Sequence, residues 1–196
     1  MLANNKPLTH LKTTLGVLRR FSTSSSLLSS LESKITIETD ELEALIQEGI
    51  PDLSIVNGTI KRSKYDPKED HVTGGRIPGA AYLDFRGFCE PDTQLEYMIP
   101  SEAHFTKMMR EAINVRKTDK VVIYDKYRNI SAPRVWFMMR CFGMRNVWLL
   151  NGTYAKWERE GRNVEKDLAE NALRRVRSDP EQPGDFDFKL DRSRIR

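Results

Sequence analysis

The chain has 196 residues, 39% of them hydrophobic and 31% charged, with a formal net charge of +4. This is enough chain for one domain with a real core and too little for two of the usual ~100–150 residues once terminal segments are set aside; no run approaches the ~20 apolar residues a membrane span needs. The charge does not indicate nucleic-acid binding either, because residues 1–31 carry Lys6, Lys12, Arg19 and Arg20 and no acid, and without those four 28 Lys and Arg face 28 Asp and Glu.

In that first segment Leu8, Leu11, Leu15 and Leu18 recur at helical spacing while Lys12 and Arg19 fall away from them. The stretch runs into "RRFSTSSSLLSS", hydroxyl-rich and free of acids. Residues 1–31 therefore read as a mitochondrial transit peptide with a cut near Arg19–Arg20, which places the chain in the matrix or facing it.

"KITIETDELEALIQEG" predicts a short strand, then a helix capped at Thr39 or Asp40 with Leu42, Leu45 and Ile46 on one face and Gly49 as its stop. "LSIVNGT" predicts a second strand, "KRSKYDPKEDHVTGGRIPG" a polar loop, and "AAYLDF" a third strand. Ser101 opens a helix whose stripe is Phe105, Met108, Met109, Ala112 and Ile113. "KVVIYD" has the continuous apolar character of a strand buried on both faces. Ser131 then caps a helix ended by Gly143, "NVWLLN" repeats the buried-strand pattern, and "GTYAKWEREGR" is the helix after it, with Gly161 as stop. Strands alternating with helices over short connections give an α/β fold, a mainly parallel sheet with helices on both faces. Residues 166–196 read as an extended polar tail.

The two cysteines, Cys89 and Cys141, show no Cys-x-x-Cys spacing and no histidine pair beside them, so neither a metal site nor a cofactor is indicated. Cys141, in an apolar helical run, reads as a small core residue.

"GGRIPGAAYLDF", "EYMIPSEAHF", "VVIYDKYRNISAPRVWFMMRCFG" and "VWLLNGTYAKWEREGR" stand in the order and spacing of the rhodanese-like domain. Over residues 35–165 the chain most resembles the N-terminal half of the tandem thiosulfate and 3-mercaptopyruvate sulfurtransferases, and "FDFKLDRSRIR" resembles their inter-domain linker. The resemblance implies a parallel α/β sheet with a loop at the end of one strand. In the catalytic half that loop begins with a cysteine whose sulfur the loop amides ring, since a thiolate needs aimed donors to act near neutral pH.

Here Asp125 stands where the cysteine would be. A carboxylate carries no transferable sulfur and repels an anionic donor. Lys126, Tyr127 and Arg128 replace small residues, Arg76 stands in place of a histidine, and Asn57 and Ile60 in place of an acid and an aromatic. A phosphatase-type Cys-x5-Arg is absent, because Val147 and Leu95 occupy the sixth positions after the two cysteines.

The leading expectation is a non-catalytic module that binds a protein partner, either a second rhodanese-like chain or a larger mitochondrial complex. Asp125, Lys126, Tyr127, Arg128, Asn129 and Ser131 form a degenerate loop offered as an anion or partner contact, its charges otherwise simply solvated. Trp136 and Phe137 are the expected contact on the following helix, whose apolar residues run almost all the way round. The alternatives are a sulfurtransferase whose catalytic half comes from another chain or from missing sequence, and a persulfide carrier using Cys89 or Cys141.

Overall fold

The computed structural model describes residues 25–91, 93–166 and 173–195. The leucine-striped basic segment ahead of Arg20 lies outside them. Five parallel strands, β1 (Thr36–Ile37), β2 (Leu53–Asn57), β3 (Ala80–Tyr82), β4 (Lys120–Tyr124) and β5 (Val147–Leu150), form one sheet in the order β1-β5-β4-β2-β3. Central β4 pairs with β2 over its whole length, from Leu53 opposite Lys120 to Asn57 opposite Tyr124.

The alternation of β4 assigns its side chains to two cores. Val121 and Ile123 join one with Phe105, Met109, Val135, Met138 and Phe142; Val122 and Tyr124 join the other with Leu42, Leu45, Trp148 and Trp157. Both faces are therefore covered, which is why β4 and β5 read as unbroken apolar runs rather than alternating ones.

The helices are α1 (residues 25–31), α2 (Thr39–Gln47), α3 (Pro67–Thr73), α4 (Phe85–Phe88), α5 (Glu102–Lys107), α6 (Ala132–Cys141) and α7 (Thr153–Arg159). The α2 cap is Glu38, one residue before the expected position, because Glu41 reaches back to accept the Glu38 N–H at 2.9 Å while the Thr39 hydroxyl is donated to Glu160. Helix α5 continues into a wide π-helical turn, Met108–Ile113, closed by left-handed Asn114.

Helix α3 corrects the expected polar loop. Asp66 accepts from the N–H groups of Lys68 and Glu69 and Pro67 follows it, a start signal that "DPKE" carries openly. Only Pro67 and His71 are buried, too few to make an apolar stripe.

Two segments outside the sheet belong to the core. Leu31 of α1 is fully buried, and its carbonyl accepts the Trp148 indole N–H at 2.8 Å. At the other end, Phe186 and Phe188 fold back into the first core, where Phe188 meets Phe105 edge-on and Phe105 stacks on Phe142 at 3.9 Å. Two buried phenylalanines contribute about 1.5–3 kcal/mol each. Beneath them Asp119, at the start of β4, accepts from Ser54 Oγ at 2.8 Å, Arg175 at 2.9 Å and Arg177. Among the described residues no helix is long and apolar enough to cross a membrane.

Candidate functional site

The connection after β2 runs through α3 to β3 on one side, and the one after β4 runs through α6 to β5 on the other. A crevice opens at such a point, at the carboxyl ends of the strands, and open α/β sheets bind ligands there. In this chain the two walls are "NGTI" after β2 and "DKYRNIS" after β4.

The crevice is closed from within. Asp125 is 0% exposed. Its Oδ1 accepts from the N–H groups of Tyr127 (3.0 Å) and Asn129 (3.1 Å), and its Oδ2 from those of Ser131 (2.9 Å) and Ala132 (3.1 Å). The Ser131 hydroxyl approaches Oδ2 at 3.4 Å. Consecutive left-handed residues, Arg128 (φ 53°) and Asn129 (φ 55°), turn these amides toward one point. The first turn of α6 adds the positive end of a ten-residue helix. The loop is thus an anion-binding ring whose anion is its own first side chain.

This changes the expected roles of the loop residues. Ser131 does stand at the N-cap of α6, but its side chain does not cap the helix; its hydroxyl accepts from the Ile60 N–H at 3.2 Å, while Asp125 caps from six positions upstream. Lys126 is not a free anion contact. Its ammonium meets Asp70 Oδ2 at 2.5 Å and the Asp70 carbonyl at 2.9 Å and lies 4.7 Å above the Tyr154 ring. Burial lowers the Lys126 pKa despite Asp70 beside it. Tyr127, 39% exposed, packs edge-on against Tyr65 at 5.1 Å. Arg128 is exposed with no ion pair among the described residues, and Asn129 contributes its backbone N–H.

The β2 wall is locked as well. Asn57 Oδ1 accepts from the Thr59 N–H (3.1 Å) and hydroxyl (2.5 Å), so its Nδ2 donates to His71 Nδ1 at 3.0 Å. Thr59 Oγ1 in turn accepts the Lys126 N–H at 3.0 Å. A Cβ on Gly58 would stand 3.0 Å from Val135 Cγ2, so glycine permits this close approach to α6. Asn57 was noted in the sequence only as a departure, and Thr59, His71 and Asp70 were missed, because Thr59 and Asp70 reach Lys126 far along the chain and the Asn57–His71 contact needs the fold to form. "NGT" after a buried strand was the available signal.

Arg76 is engaged with Glu165. It is buried, exchanges backbone hydrogen bonds with Glu165 at 2.9 Å, and its guanidinium faces Glu165 at 3.4 Å. Both cysteines are buried, burial raises both thiols above their ordinary range, and Cys89 donates to the Phe85 carbonyl at 3.3 Å. Trp136 and Phe137 are half-buried on α6. Trp136 donates its indole N–H to the Val147 carbonyl at 2.9 Å, and Arg140 and Arg134 lie over the two rings.

Comparison with known proteins places this geometry. The family described as "Rhodanese-like domain" matches residues 39–160. Thiosulfate/3-mercaptopyruvate sulfurtransferase 1, mitochondrial, of Arabidopsis thaliana is 31% identical over 160 residues, covering 81% of this chain and 41% of the relative. Thiosulfate/3-mercaptopyruvate sulfurtransferase 2 of the same organism is 39% identical over 97 residues, 50% of this chain and 28% of the relative. Among solved structures, SseA from Escherichia coli, described with the "rhodanese" fold of 3-mercaptopyruvate sulfotransferases, superimposes with a TM-score of 0.64 at 26% identity, over 70% of this chain and 52% of that one. The chain therefore spans well under two thirds of the length of these relatives.

Proposed function

We propose that this chain, which belongs to the rhodanese-like domain family, is a non-catalytic member of it, a structural or binding module of mitochondria that works within a protein assembly. The observation that carries the reading is the Asp125 carboxylate seated in the ring of amides, where it takes four backbone N–H groups. An incoming anionic sulfur donor would have to displace a buried carboxylate from its own loop, and no thiolate waits at the loop head to receive the sulfur.

Support for a mitochondrial setting comes from the acid-free, leucine-striped, serine-rich residues 1–31 and from the relative whose name carries that location. Import with a cut between Arg20 and Ser25 would leave α1 whole. For the assembly, Trp136 and Phe137 are the proposed contact on α6. Native-mass measurement of gently solubilised mitochondria should find the chain in a complex that Trp136→Ala loosens. Recovery of the processed monomer alone would end the claim.

The test of inactivity is thiosulfate:cyanide transfer by the purified chain. The expected result is no turnover above buffer. Turnover abolished by changing Cys89 or Cys141 would overturn the reading. A second reading, in which this chain is half of a functional sulfurtransferase, is favoured by its coverage of only 41% of a relative that it matches along most of its own length. Mixing it with a catalytic rhodanese-like chain and finding turnover that neither has alone would establish that reading instead.

A further inference from the structure

The closed loop is bordered by exposed positive charge, most of it unpaired among the described residues. The segment "KRSKYDPK", Lys61–Lys68, lies beside the loop, tied to it through the Ile60 N–H on Ser131 Oγ (3.2 Å) and the Tyr65–Tyr127 contact (5.1 Å). Lys61, Arg62, Lys64 and Lys68 are all exposed, as is Arg128 on the loop itself.

Three of the neighbouring acids are already engaged. Asp66 caps α3 and faces Lys61 at 3.5 Å, Asp70 holds the Tyr65 hydroxyl and Lys126, and Asp84 caps α4. Among the described residues Arg62, Lys64, Lys68 and Arg128 have no ion-pair partner, and Glu69 is the one acid of residues 61–70 that makes no ion pair or side-chain hydrogen bond. An open groove continues the rim, lined by Lys61, Lys68, Arg86, Tyr82, Asp66 and Asp84. Tyr127 (39% exposed) and Ile130 (46% exposed) project among these charges.

We propose that this rim docks an acidic, partly apolar segment of a protein partner. Complementary charge would steer and orient the segment, and Tyr127 and Ile130 would receive its apolar side chains. A nucleic acid is a poorer match. Outside the four basic residues before Glu32 the chain is formally neutral, so it lacks the broad positive field that a polyanion needs, and Ile130 has no role against a phosphate backbone. The surface rests on the reading of the chain as a binding module.

The test uses fluorescence anisotropy with a short labelled peptide of Glu, Asp and Leu, the full chain, and three variants. The expected result is saturable binding that weakens as salt rises and falls at least about tenfold in Arg62→Glu/Lys64→Glu/Arg128→Glu. Tyr127→Ala/Ile130→Ala should lose several-fold at high salt as well as low. The same number of reversals elsewhere, Lys107→Glu/Arg145→Glu/Arg159→Glu, should leave binding within about twofold of the unaltered chain. No binding, equal loss in the control, or tighter binding of a single-stranded oligonucleotide or of phosphatidylserine vesicles would overturn the proposal. Sulfur transfer by the chain would remove the non-catalytic reading and leave this measurement untouched; failure of the peptide to bind would do the reverse.

Discussion

Strand β4 has a buried aspartate at each end, and the two are held in opposite ways. Asp119, before the strand, accepts one local N–H, from Arg116 at 3.0 Å, but its other partners are cations and a hydroxyl, Arg175, Arg177 and Ser54, brought from other parts of the chain. Asp125, after it, is surrounded by neutral backbone N–H groups within seven residues. The first carboxylate staples a distant segment to the sheet; the second shapes the loop it begins. A buried acid is therefore no single signal, and what decides its role is whether its donors are local dipoles or remote charges.

The sharpest way to break this comparison is Asp119→Ala. It leaves Arg177, 4% exposed in its side chain, and Arg175 without their buried counter-ion, at a cost of about 3–5 kcal/mol. Urea denaturation should show the loss, and limited proteolysis should cut between residues 173 and 188 first. Unchanged stability would show that the phenylalanines alone hold that segment.

Asp125→Ala should cost somewhat less, about 2–4 kcal/mol, because it strands loop amides that water can partly reach once the carboxylate is gone. Asp125→Asn keeps the volume but turns an NH2 group toward two N–H donors, so it should lose about 1–3 kcal/mol. Hydrogen exchange should speed at Tyr127, Asn129, Ser131 and Ala132 in both variants and stay slow near Asp119.

Asp125→Cys tests the chemistry of the same end. The variant should remain without appreciable thiosulfate:cyanide turnover, because Lys126 is committed to Asp70 and so is not free to hold an anionic sulfur donor at the loop. Robust turnover would show that the loop needs only the nucleophile.

The smallest effect separates the ends by acid. Burial alone would raise the Asp179 carboxyl, but its hydrogen bond and charge interaction with Arg116 bring it below its ordinary range. A lowered carboxyl stabilises the fold above its unfolded value, about 3.9, and the contribution is lost as pH falls through the lower folded value. Protection from exchange in residues 179–188, taken relative to the intrinsic amide rate at each pH, should therefore fall below about pH 4 and with added salt. The amide ring around Asp125 should not respond to salt.

The same contrast explains what could be read in advance. The apolar runs "KVVIY" and "VWLL" announced a sheet covered on both sides, and the position of Asp125 at a strand end was plain. Its partners were plain too, yet the amides and the carboxylate were read as separate actors, a ring waiting for an external anion and a charge opposing one. Only the convergence enforced by two left-handed residues joins them. The Asp119 end was illegible for a different reason: Arg175 and Arg177 lie 56 and 58 residues away in a stretch that looks solvated. Phe186 and Phe188 were passed over because a pair in a polar run makes no period. Helix α3 buries two residues and so showed no stripe, although its Asp-Pro start was there to be seen.

The hold of the sheet on α1 bears on the proposed removal of the residues ahead of it. Proteases need extended, accessible backbone, and an enzyme working inward from the amino end meets helix from residue 25 and then a backbone carbonyl, at Leu31, already committed to Trp148. Leu27 and Leu28 pack against the same core. Cleavage beyond that point would take away the acceptor of a buried indole and part of a hydrophobic cluster, so a folded chain resists it. Were the residues ahead of α1 removed, as proposed, the folded domain would itself protect the backbone from residue 25 onward and so limit how far trimming could run.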